Sequence, residues 1–248
     1  MLVSAELIDH IFSFLQGESS ALEACSKADT TLSRLAEPYL YADIIVTTNT
    51  KWAVDELYDQ FCTNPHILDI PHTLHFDRTF LWFPNHELLT SITQVMSMIP
   101  RMANLTSLSF QGQPWRDILY EDFLWAFATC LQQSAVEEVC LEDFCDFPLA
   151  LLDNGKNIKK LKLTDCTVSE DGPMLGLGLL HESLETLILE GGYNPDLLVW
   201  AKYRATSLTT LELRNFSGEY HWYNIRGLLA ACSNSLTQLY FDCTRHRM

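Results

Sequence analysis

Basic residues are scarce in this sequence: its 248 residues carry 16 lysines and arginines against 32 aspartates and glutamates, a formal charge of −16. That balance argues against nucleic acid or anionic lipid as a partner, because both are polyanions. The acidity is spread along the chain rather than gathered into a tail, which suits solubility. No apolar run is long enough to span a bilayer, so no membrane partner is expected. Met1 to Gln16 hold Glu6 and Asp9 but no lysine or arginine, the wrong charge pattern for a secretory signal. Eight cysteines occur without one C-x-x-C pair, and most stand among apolar neighbours, as in Val139-Cys140-Leu141. They read as small hydrophobes rather than zinc ligands or a disulfide framework. A cytoplasmic or nuclear location fits that usage.

Catalytic motifs are lacking as well. There is no Gly-x-Ser-x-Gly, no His-Glu-x-x-His, and Gly172 to Gly178 lacks the Lys-Ser/Thr that would follow a phosphate loop. His72-x-x-His75 has a metal-like spacing, but it follows Pro71 and has no acidic or cysteine partner at a regular distance. Glu121-Asp122 and Glu142-Asp143 are adjacent, so their side chains diverge and make poor acid–base couples. The chain is therefore expected to be no enzyme, and to hold no metal and no cofactor.

What the sequence does contain is a repeat. Six hexads carry an apolar residue at positions one, four and six: Leu105-Leu108-Phe110, Val136-Val139-Leu141, Ile158-Leu161-Leu163, Leu184-Leu187-Leu189, Leu208-Leu211-Leu213 and Leu236-Leu239-Phe241. Their starts are separated by 31, 22, 26, 24 and 28 residues, the period of a leucine-rich-repeat solenoid. The fullest copy, Ile158 to Val168, matches L-x-x-L-x-L-x-x-N/C-x-L throughout, with Cys166 expected to hydrogen-bond in the inner turn. Positions four and six share one side of a strand and face the core; position one lies in the turn leading in. Burying the three stabilises by roughly 5–9 kcal/mol per repeat before chain entropy is subtracted, so single repeats do not stand alone. Tyr41, Ile44 and Val46 have the same spacing and predict a first rung; Leu74 and Phe76 predict a degenerate second. Helical spacing recurs over Lys51–Cys62, Asn85–Met98 and Glu121–Gln132.

The N-terminal segment differs. Leu7, Ile8, Ile11, Phe12 and Leu15 form a broad helical stripe with Ser4 as N-cap and Glu6 in the first turn. Gly17-Glu18-Ser19-Ser20 breaks it, a second helix is predicted from Ala21 to Ala28, and a third from about Thr31 to Glu37 with Pro38 as its boundary. The fold class is thus α/β: a solenoid over residues 43–248, with parallel strands on one face and helices on the other, preceded by a small three-helix domain over residues 1–42. The last hexad closes at Phe241 with only Asp242 to Met248 beyond it, too little for a covering helix. The array is expected to lack a C-terminal cap, as a shortened version of a longer array or one whose end a partner covers.

Val3-Ser4-Ala5-Glu6-Leu7, Ile11-Phe12-Ser13-Phe14-Leu15 and Leu40-Tyr41 resemble the F-box, in which Leu-Pro-x-Glu-Leu precedes Ile-Phe/Leu-x-x-Leu and a closing leucine and aromatic. Together with the repeats, the chain resembles a fungal-type F-box protein with irregular leucine-rich repeats. Val3 and Ser4 stand where the family has its leucine and proline. The resemblance implies the substrate-recruiting receptor of an SCF-type cullin-RING ubiquitin ligase. Val3, Ser4, Glu6, Leu7, Ile11 and Leu15 would then contact the adaptor subunit, and the repeats would hold an unidentified target protein. The alternative is a repeat scaffold with a degenerate F-box and no ligase link. Residues alternating with the buried strand positions give the target face: Glu138, Lys160, Lys162, Ile188, Glu212, Arg214 and Tyr240. On it, Lys160, Lys162 and Arg214 are expected to read an acidic or phosphorylated feature of the target.

Overall fold

The computed structural model describes residues 4–47, 51–77, 86–112, 121–144, 147–169, 183–191, 195–215 and 222–242. Eight strands form one sheet: β1 (Asp43–Thr47), β2 (Thr73–Asp77), β3 (Ser107–Gln111), β4 (Glu138–Glu142), β5 (Lys160–Thr164), β6 (Thr186–Glu190), β7 (Thr210–Arg214) and β8 (Gln238–Phe241). Each pairs in parallel with the next in strict sequence order. The six hexads supply β3 to β8, and both predicted earlier rungs are present: Ile44 and Val46 are buried in β1, Leu74 and Phe76 in β2. Register aligns the core positions of consecutive rungs, so that Leu161 lies between Val139 and Leu187, and Leu163 between Leu141 and Leu189.

The junctions are as regular as the strands. The carbonyl just ahead of each strand accepts two successive N–H groups from the next rung. Ala42, His72, Thr106, Glu137, Lys159, Glu185 and Thr209 all do so, at 2.7–3.1 Å. At the other end, Asp143, Asp165 and Gly191 donate to the carbonyls of Thr164, Glu190 and Arg214. Asp143, Asp165, Gly191 and Asn215 each follow a strand directly and each has positive φ, between 51° and 65°. Aspartate, asparagine and glycine tolerate that left-handed conformation best, so the residue type marks where the chain leaves the sheet. Cys166 Sγ donates to the carbonyls of Leu141 and Thr164, both at 3.3 Å, the inner-turn role its position predicts.

Connections return behind one face of the sheet. They contain α4 (Lys51–Thr63), α5 (His86–Met98), α6 (Glu121–Gln133), α7 (Pro195–Arg204) and α8 (Trp222–Ala231). Val54, Phe61, Val95, Phe127, Leu198 and Leu228 from these helices share one core with the strand residues. Inside it Phe76 and Phe110 stack at 4.6 Å, and Phe127 meets Phe110 and Phe147 edge-on. The shortest repeat has no α-helix between β4 and β5; a 3-10 helix, Leu149–Asn154, takes its place. Its buried Asp153 is gripped by Arg204 of α7, Nε to Oδ1 at 2.6 Å, with the guanidinium over the Trp200 ring.

The N-terminal segment forms α1 (Ala5–Phe14), α2 (Ser19–Ala28) and α3 (Thr30–Leu40). These enclose a separate small core of Phe12, Leu22 and Ala36, whereas Tyr41 already packs on the main one. The third helix does not stop at Pro38 but runs through it to Leu40. In the last turn a proline forfeits only one intrahelical bond, and Tyr41 N–H closes the helix on the Glu37 carbonyl at 3.0 Å.

Array packing makes the cost of a core deletion depend on the rung. Leu161 is fully buried between two rungs, whereas Leu239 in β8 is 52% exposed. Chemical denaturation should show Leu161→Ala losing about 2–5 kcal/mol and Leu239→Ala less than about 1 kcal/mol. Arg204→Met should cost about 3 kcal/mol or more, because it leaves the Asp153 carboxylate buried without its partner.

Candidate functional site

Two surfaces stand out, one on each unit. On α1 the side chains divide between two faces. Phe12 is buried, and Ile8 and Leu15 pack against the helical core. Leu7, Ile11 and Phe14 point out, 51%, 47% and 75% exposed, at the i, i+4, i+7 spacing of one helical stripe. Ser4 caps the helix as predicted, its Oγ accepting from Leu7 N–H at 3.4 Å, and Glu6 sits exposed in the first turn. Tyr39 of α3 fixes the helix from behind, its hydroxyl donating to Asp9 Oδ1 at 2.8 Å; that bond pushes the phenol pKa up.

Of the residues expected to meet the adaptor, Leu7, Ile11, Ser4 and Glu6 are on the accessible side. Leu15 is not: it serves the small core, and Phe14 completes the outer stripe instead. Val3 lies outside the described residues. The Leu7-Ile11-Phe14 spacing was present in the sequence, but Phe12 and Leu15 share the same apolar run and mask which face is free.

The second surface is the open face of the sheet. Its central column runs Ile45, His75, Ser109, Cys140, Lys162, Ile188, Glu212 and Tyr240 by register. The three cations are not a free basic patch. Lys160 Nζ lies 2.7 Å from Glu138 Oε1, Lys162 Nζ 3.7 Å from Glu190 Oε2, and Arg214 pairs with Glu212. Arg214 also covers the Tyr240 ring, 5.6 Å from its centroid. Asp43, Asp77, Glu138, Glu142, Glu190, Glu212 and Asp242 outnumber those cations on the face, leaving it at a formal charge of −4. An acidic or phosphorylated ligand would meet net repulsion there, so the expected basic recognition trio is not supported by the geometry. Ile188 also departs from expectation, because it is only 7% exposed. Lys162 and Glu212 flank it in register.

A cleft of about 610 Å³ opens where the two units meet, lined by α2, the end of α3, β1 and α4. Nothing in the sequence motifs pointed to it, since its walls come from residues 23 to 60 in four elements.

Burial pushes the Cys130 and Cys166 thiols up to about 12. Burial also raises Cys140, partly offset by the Ser109 hydroxyl and Lys162. His72 Nδ1 faces the Asn104 carbonyl at 3.3 Å and His75 Nδ1 the Ser109 hydroxyl at 2.9 Å, so the two imidazoles serve separate contacts. Among the described residues, no cluster of three metal-ligating side chains occurs, and no helix is long and apolar enough to cross a membrane. No protein-family model matches the chain, and no curated protein matches it.

The thiol shifts have a measurable outcome. Mass-spectrometric mapping of alkylation in native protein should find exposed Cys62 modified while Cys130 and Cys166 stay protected. Unfolded thiols ionise near 9, whereas these two keep their protons to about 12. Their contribution to stability is therefore full below about pH 9 and is lost as pH rises towards 12. Urea titrations over that window should give a shallower decline for Cys130→Ala than for the parent.

Proposed function

We propose that this chain is the substrate-recruiting receptor of an SCF-type cullin-RING ubiquitin ligase. In this reading the three-helix unit is an F-box that docks to the adaptor subunit, and the rungs are leucine-rich repeats that hold the target protein. The observation that carries it is the outward stripe of Leu7, Ile11 and Phe14 on a capped helix. Three large apolar side chains on one stripe of this small unit stand outside its own core of Phe12, Leu22 and Ala36. An amphipathic helix with anchors at i, i+4 and i+7 is suited to a hydrophobic groove on a partner. Burying each anchor contributes up to about 1.5–3 kcal/mol. The open sheet face supports the target-holding half, because flat, ordered strands offer side chains at fixed spacings to a long segment.

The test is co-purification with the adaptor subunit at micromolar concentration. The double variant Leu7→Asp/Phe14→Asp should keep its helical circular dichroism and lose adaptor affinity by at least about ten-fold. Leu15→Asp, by contrast, should melt the helical unit. Absence of any complex with the parent chain would instead favour the scaffold with a degenerate F-box.

A further inference from the structure

The cleft between the helical unit and β1 has a composition that selects its ligand. Its volume, about 610 Å³, lies within the roughly 300–1,000 Å³ of small-ligand sites. Its lining includes the apolar side chains of Tyr41, Leu57 and Ile45, the last 65% exposed although it is an isoleucine on a strand. The same lining carries Glu23, Asp43 and Glu56 against Lys27 alone, a net charge of −2. Lys27 is already paired with Glu23 at 3.4 Å, and Asp43 accepts the Thr73 hydroxyl at 2.7 Å. Glu56 makes no ion pair among the described residues. The local field registers on Tyr41, whose phenol pKa is raised by burial first and then by Glu37, Glu23 and Glu56. A second cleft, between α4 and α5, carries the same net charge of −2, from Asp55, Asp59 and Glu87 against Lys51, but no aliphatic side chain lines it.

Aliphatic and aromatic surface beside unneutralised carboxylates fits one kind of side chain: a long aliphatic stem with a cationic head. We propose that this cleft is the anchor site for an arginine or lysine of the target chain. The anchored segment would continue over the open sheet face, since Asp43 and Ile45 belong to both surfaces and the face beyond them is net acidic. The stem lies on Ile45 and Leu57 while the head bonds Glu56 and Glu23, displacing Lys27 from the latter. This deepens the target-holding role of the array and rests on that role, though not on adaptor binding.

Fluorescence anisotropy at 0.15 M salt decides it, with a labelled ten-residue peptide of alternating serine and arginine and a serine–glutamate counterpart. The arginine peptide should bind and the glutamate peptide should not. Glu23→Gln/Glu56→Gln should weaken the arginine peptide about ten-fold or more. Asp122→Asn/Glu185→Gln removes the same charge from exposed sites elsewhere and should change affinity less than about two-fold. Carbodiimide cross-linking of a serine–lysine version should map to Glu23, Asp43 and Glu56. Equal losses in both double variants, cross-links scattered over the surface, or no arginine preference would overturn the proposal. Adaptor co-purification, run on the same variants, should be unchanged by Glu23→Gln/Glu56→Gln. A failure of the ligase reading therefore shows separately from a failure here.

Discussion

The structure depends on one repeated junction: a carbonyl ahead of each strand that accepts two N–H groups from the next pass of the chain. Strands of four or five residues cannot hold register by length. The paired donors set it, because they fix the first residue of each rung against the first of its neighbour. Register in turn decides which side chains are buried, since a slip of one residue would turn the whole apolar set to solvent. Once Leu74, Leu108, Val139, Leu161, Leu187 and Leu211 are aligned, the core is a continuous ladder and the helices need only cover it. The left-handed residue after several strands completes the rung by turning the chain off the sheet at a fixed point.

Much of this was legible in the residues. Hexads reveal strands because a buried parallel strand leaves a strict signature at positions four and six, and the two aromatic-bearing early rungs kept it. The helices α7 and α8 were not foreseen. In α7, Leu197, Leu198, Trp200 and Ala201 are buried, but the apolar run is short and shares its ten residues with Lys202, Tyr203 and Arg204. Pro38 misled for a different reason: proline ends a helix that must continue, and costs little in one that is ending anyway. The left-handed positions had a readable signal as well, since Asp143, Asp165, Gly191 and Asn215 all stand two residues beyond the last core position of their hexads.

The candidate surfaces were less legible, because sequence gives a side chain's direction but not its company. Alternation placed Lys160, Lys162 and Arg214 on the open face correctly, and could not show that acids on a neighbouring strand or on the same strand neutralise them. It placed Ile188 there too, and could not show that this side chain is almost wholly buried. On α1 the apolar stripe was wide enough to serve two partners, and only packing separates Phe12 and Leu15 from Phe14. The cleft at the junction of the units was invisible for a plainer reason: no single element contains it.

The last rung carries a further consequence. Leu239 and Phe241 occupy core positions in register with Leu211 and Leu213, yet they are 52% and 36% exposed, with Trp222 leaning on the Phe241 ring. In a linear array each unit is stabilised by its neighbours, and β8 has a described neighbour on one side only. Its backbone amides should therefore open at the lowest free energy, with protection from hydrogen exchange climbing rung by rung towards the centre. Among the described rungs stability is in that sense graded, and it is lowest where a rung has the least to hold it.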